Sequence, residues 1–152
     1  MRLLALCFFL ALALPGAARA DGKLAPVHNE AWKAECGSCH LAYPPQLLSA
    51  ESWRRLMSGL ERHFGTDASV DPDAAREIGA FLARHAASRP GRHAAGGDSP
   101  RISQTPWFAH EHDEVPQGVW KRASIRSAAN CAACHRDAER GDFRERGIRI
   151  PR

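Results

Sequence analysis

Cys36-Gly37-Ser38-Cys39-His40 and Cys131-Ala132-Ala133-Cys134-His135 decide the reading of this chain. Both spell C-x-x-C-H, the attachment pattern of a c-type haem. The chemistry fixes the spacing. Two thiols add across the two vinyl groups on one edge of a porphyrin, and the His that follows is carried beneath the ring, where its imidazole binds the iron. From this composition one such match is expected about 0.01 times by chance, so two are a strong signal. Cys36, Cys39, Cys131 and Cys134 are therefore read as the thioether anchors of two covalently bound haem c groups, with His40 and His135 as the proximal ligands.

Three other uses of paired cysteines are weaker. A redox dithiol expects a βαβ context, and no strand alternation is visible. The two pairs start 95 residues apart, at 36 and 131, far from zinc-ribbon spacing, and zinc leaves the His after each pair unexplained. Two disulfides suit an oxidising compartment, but the two histidines would again be coincidence.

The N-terminus points to such a compartment. Arg2 is followed by an apolar run from Leu3 to Leu14, a break at Pro15-Gly16, and the small-x-small site Ala18-Arg19-Ala20. The run is too short to span a bilayer, so residues 1–20 are expected to be a cleaved signal peptide that leaves no membrane anchor and sends the chain to the periplasm. Cys7 leaves with it. Removing 20 residues from 152 leaves 132, enough for one domain or two very small ones. With Arg2 and Arg19 gone, Lys plus Arg falls from 21 to 19 against 17 acids, a net charge of +2. Basic and acidic residues alternate rather than cluster, which argues against nucleic acid as a partner.

Two haem-binding segments are expected, 21–87 around Cys36 and 107–152 around Cys131, joined by a Gly/Pro/Ser-rich linker over 88–106. In the first, Ser49 can cap a helix that ends before Gly65, with Trp53, Leu56, Met57, Leu60 and Phe64 as its apolar stripe. Asp71 and Pro72 can start a second, burying Ile78, Phe81 and Leu82. A short helix is expected to include Trp120 to Ser127, and each C-x-x-C-H should lie at a helix. The fold class is thus mostly α: a small c-type cytochrome with long irregular connections. The haems would supply much of the core, so the apoprotein should fold poorly.

Each iron has a second axial face. Met57 lies within an apolar stripe and reads as core. Of the histidines outside the motifs, His63 follows Leu60 by three residues and shares the buried face, where an imidazole needs a partner. His85 has similar spacing but sits at a helix end, where a charged imidazole favours the dipole. His93 lies in the linker, and nothing marks His28. His110 and His112, just after Trp107-Phe108, compete for one role, and an H-x-H metal site is the alternative there.

Longer strings carry a resemblance. They are Ala42-Tyr43-Pro44-Pro45 and Ser52-Trp53; His63 to Ser69; Pro100-Arg101-Ile102; Trp107-Phe108 with His112; Trp120-Lys121-Arg122; Ser127 to Cys131; and Ile148-Arg149-Ile150-Pro151. In these the chain resembles the small dihaem cytochrome c family over most of its mature length. That resemblance implies bis-histidine ligation of both haems, with His63 and His112 as the distal ligands, and a role in electron transfer rather than catalysis. It also implies redox partners such as a small oxygen-binding monohaem cytochrome c or a membrane cytochrome b. The rival classes are a haem enzyme of peroxidase or reductase type, and a module that binds a diatomic gas at one open haem.

Overall fold

A computed structural model describes residues 22–87 and 100–152. The expected signal peptide and most of the expected linker lie outside those residues. Among the described residues there are short helices joined by turns, and no strand beyond isolated bridges.

Helix α1 (Glu30–Gly37) starts where the Asn29 side chain accepts from the Trp32 amide, and it delivers Cys36 at its last turn. Helix α2 (Ala50–Met57) is capped by Ser49, whose hydroxyl accepts from the Ser52 amide at 3.1 Å. Helix α3 (Pro72–His85) opens on Asp71, which accepts from the amides of Asp73 and Ala74, with Pro72 at its first position. Both caps satisfy amides that the first helical turn leaves without a partner. Helix α3 buries Ile78, Phe81 and Leu82, as its period predicts.

The three helices converge on one apolar cluster. Trp32 of α1 tilts against Phe81 at 5.3 Å between ring centres, and Asn29 donates to Glu77 of α3 at 2.7 Å. Trp53 of α2 is buried and donates its indole N–H to the Pro45 carbonyl at 2.7 Å. Leu24, Ile102 and Phe108 join this cluster, so residues ahead of α1 and residues after 100 share its core.

Four expectations need correction. The helix from Ser49 does not run to Gly65. It ends at Met57, a one-turn 3-10 helix follows over Leu60–Arg62, and His63 leaves it with φ −66° and ψ 86°. Gly59 accounts for the break, because glycine in a helix interior costs about 1 kcal/mol relative to alanine. Phe64, expected on the buried stripe, is 44% exposed and takes φ +50°. The last part of the expected linker is not a spacer: Ile102 and Thr105 are buried, Ile102–Gln104 is a 3-10 turn, and Thr105 caps helix α4 (Pro106–Glu111). The helix expected over Trp120–Ser127 lies earlier, as α5 (Gln117–Trp120) after Pro116, and Arg126 at φ +71° turns the chain back.

The second motif sits among turns. Cys131–Ala133 form a single 3-10 turn, and Ile125 and Ala138 are buried beside it. The C-terminal residues hold this region: Arg149 N–H donates to the Cys134 carbonyl at 2.9 Å, and Arg122 donates to the Pro151 carbonyl at 2.7 Å. The first described residues close it, with Leu24 N–H on Gly141 O at 2.9 Å and Phe143 N–H on Gly22 O at 2.7 Å.

Candidate functional site: two paired imidazoles

The first motif opens onto a cleft of about 490 Å³. That lies within the range of about 300–1,000 Å³ usual for cofactor pockets. Cys36, Cys39 and His40 form one wall, and His63 faces them, with Leu56, Met57, Leu60 and Leu82 supplying apolar surface. The rings of His40 and His63 are 6.1 Å apart between centres and inclined by 22°. His40 is oriented from behind. Its Nδ1 meets the Leu41 carbonyl at 2.7 Å, and Tyr43 stacks on the ring at 4.7 Å and 23°. A carbonyl only accepts, so Nδ1 carries the proton and Nε2 keeps its lone pair for a metal.

The second motif has the same arrangement built from other elements. His112 lies at the end of α4, and its ring centre is again 6.1 Å from that of His135, now inclined by 81°. The Nδ1 of His112 donates to the Phe108 carbonyl at 2.9 Å, and the Phe108 ring stacks on the imidazole at 4.0 Å. Trp120 tilts against His112 at 5.8 Å, and Phe143 meets His135 edge-on at 5.3 Å. His110, one side chain away, is exposed. The structure thus separates the two competitors: a short helix ending at Glu111 turns His112 inward and leaves His110 outside.

The spacing can be tested against an iron. Imidazole nitrogens bind a first-row metal at about 2.0–2.1 Å, so two rings on opposite sides of one iron have centres about 6 Å apart. Both pairs meet that distance. Burial lowers the pKa of His63 and of His135, with the opposing imidazole a further cause in each case. The neutral form is the one that ligates a metal. The residues present fit a haem at each motif.

The remaining histidines do not converge on either pair. His28 is exposed and meets Glu30 at 2.7 Å. His85 tilts against Phe81 at 5.0 Å, at the end of α3. His93 lies outside the described residues. Met57 packs against the core cluster and also borders the first cleft. The rival uses of the cysteines fare badly. None of the four described cysteines pairs with another in a disulfide, and burial first pushes the Cys36 and Cys131 thiols up to about 11. A redox dithiol or zinc site needs the opposite shift. Among the described residues, no group of three or more His, Cys, Asp and Glu converges as a zinc site requires.

Several neighbours of these rings carry no motif of their own. Tyr43, Arg101 and Phe143 take up positions that spacing does not announce. Tyr43 and Arg101 lie in strings that carry the family resemblance, and Tyr43 is the only tyrosine in the chain, three residues past His40.

The family model for dihaem cytochrome c matches residues 32–143. The chain belongs to the dihaem cytochrome c family. A dihaem cytochrome c from Shewanella baltica OS155 is 39% identical, over 81% of this chain and 93% of its own, with a TM-score of 0.71. Two structures of the dihaem cytochrome c from Rhodobacter sphaeroides are 44% identical, over 77% of this chain and 98% of theirs, with TM-scores of 0.67 and 0.70. No curated protein matches. This dihaem cytochrome c carries two covalently bound haem c groups, and the Cys131–Cys134 motif fits their attachment. No helix among the described residues is long and apolar enough to cross a membrane.

Proposed function

We propose that this cytochrome is an exported one-electron carrier in which each iron lies between two imidazoles. His40 and His63 serve the first haem, and His135 and His112 the second. The observation that carries the reading is the 6.1 Å separation of the rings in both pairs. The bound iron supplies reversible uptake of one electron. The chain supplies the rest. Two imidazoles per iron leave no position for a substrate, which separates this reading from a peroxidase, a reductase or a gas-binding module. They also keep coordination the same in both oxidation states, so little rearranges on electron transfer. Phe108, Tyr43 and Trp120 fix the ring orientations in advance.

Partners would be other redox proteins, such as a small oxygen-binding monohaem cytochrome c or a membrane cytochrome b, met through small, short-lived contacts. Location in the periplasm follows from the leader over residues 1–20; the protein recovered there should begin at Asp21, and an intact Met1 would count against export.

The test of ligation is the spectrum of the purified holoprotein. Both haems should be low-spin in either oxidation state, and the ferrous protein should not take up carbon monoxide. Ready binding of carbon monoxide by one haem would give that site an open position and favour the enzyme or gas-binding reading.

A further inference from the structure

Tyr43 belongs to the first segment but is anchored in the second. Its ring stacks on His40, and its hydroxyl donates to the Ala129 carbonyl, 86 residues away and two residues before Cys131. Cys131 in turn borders the first cleft. Tyr43 therefore touches the proximal ligand of one haem and the backbone that leads into the attachment site of the other.

The geometry of the rings says what this contact does. Tyr43 is inclined by 23° to His40, and His40 by 22° to His63, so the planes of the three rings are near-parallel. The other pair lacks this order, with His112 and His135 at 81°. An imidazole bound through Nε2 is free to rotate about its bond to the metal unless something holds its plane. For His40 two contacts do so: the Nδ1 bond to Leu41 and the Tyr43 face. The first lies at the ring edge, and the second bears on the plane itself. Tyr43 is held in turn by the hydrogen bond to Ala129.

We propose that Tyr43 is a positioning residue that holds the His40 plane near-parallel to His63 and makes that orientation depend on the second haem segment. The relative orientation of two axial imidazoles sets the splitting of the iron d orbitals. It governs the anisotropy of the ferric low-spin signal and contributes to the potential. The two haems of this cytochrome then differ electronically by construction. The first gives the rhombic signal of near-parallel ligands, and the second the strongly axial, large-g signal of near-perpendicular ones. The inference rests on the bis-histidine reading above.

The experiment is electron paramagnetic resonance of the ferric holoprotein and of two variants, each checked first for two attached, low-spin haems that ignore carbon monoxide. Wild type should show both signal types. Tyr43→Leu removes the stacked face and should displace the rhombic signal alone. Tyr43→Phe keeps the face and loses the anchor, so the rhombic signal should broaden while the large-g signal stays in place. A rhombic signal unchanged in position in Tyr43→Leu would overturn the proposal. If Tyr43→Leu does not assemble, Tyr43→Phe decides, and an unaltered linewidth there overturns it. Failure of the carbon monoxide check in wild type would instead bring down the bis-histidine reading.

Discussion

Arg101 offers a test of the first site that does not touch a ligand. Among the described residues it is the only lysine or arginine bordering the first cleft. Its guanidinium carbon sits 3.9 Å from the centre of the Phe64 ring, and Phe64 lies 4.8 Å from His63. The guanidinium is then within about 9 Å of that imidazole and about 12 Å of an iron bound to it. At an effective dielectric constant of about 20, a unit charge at about 12 Å contributes about 1.4 kcal/mol, or about 60 mV for one electron. Arg101 is half-buried, and solvent and salt reduce the figure by a factor of about two or three. The sign is fixed. A nearby cation disfavours ferric iron, the more positive state, so it raises the potential. Arg101→Gln should therefore lower one of the two midpoint potentials by about 20–30 mV in a spectroelectrochemical titration. Arg101→Lys keeps the charge and should restore most of the loss, which separates electrostatics from the lost stacking on Phe64. The component that moves should be the one that changes in His63→Ala. An unchanged or raised potential in Arg101→Gln, or equal shifts at both haems, would refute the reasoning.

The remaining expectations concern the ligands, the anchors and acid stability. His63→Ala and His112→Ala should each open one iron with both haems still attached, so half the haem becomes high-spin and binds carbon monoxide; a fully low-spin, inert variant would return His85 or His28, or His110, to consideration. Replacing Cys36 and Cys39 by Ala should remove one haem from the intact mass under denaturing acid, and so should replacing Cys131 and Cys134; full haem content in either variant would contradict the anchoring. Arg144, bonded to Asp142, holds that carboxyl well below the usual carboxylate range. A carboxylate with a lowered folded-state pKa stabilises above its ordinary value of 3.8 and ceases to do so as pH falls through the lowered one. Asp142→Asn should accordingly lower the melting temperature near pH 7, with the gap to wild type closing towards strong acid; a gap independent of pH would refute this.

Which parts were legible follows the physics of each signal. Covalent chemistry writes itself into sequence most directly, because thioether attachment ties two cysteines and an adjacent imidazole to a fixed spacing, and the family match bears out two covalently bound haems. Helix α3 was legible through Asp71, Pro72 and the Ile78, Phe81, Leu82 period, all of them local. His63 was selected on a helical stripe that ends before reaching it. The residue does face His40, but from a turn after a 3-10 helix. Helical spacing placed it on the correct side because Leu60 three residues earlier still borders the same cleft, not because one helix continues. The choice between His110 and His112 lay beyond local spacing. It depends on where α4 stops: the helix ends at Glu111, and His112 past its end bonds the Phe108 carbonyl through Nδ1.

The second segment resisted reading for a different reason. Amphipathic periodicity appears when an element packs on other elements of the same chain, and this segment has little polypeptide to pack on. Its buried side chains, Phe108, Val119, Ile125 and Ala138, come from separate turns and short helices, and none repeats at helical spacing over more than one turn. What surrounds His135 instead is an aromatic and backbone enclosure: Phe143 on the ring, the Cys134 carbonyl held by Arg149, and His112 opposite. Such a shell is organised about a body that is not in the sequence. A haem bound there is worth more to folding than any one contact, since ligands that bind only the folded state stabilise it in proportion to their affinity. The consequence is asymmetric. The first segment has three capped helices around Trp32, Trp53 and Phe81, whereas the second has turns around its two histidines. Loss of the second haem should therefore unfold its own surroundings further than loss of the first, and the Tyr43 contact with Ala129 is where that damage would reach the other site.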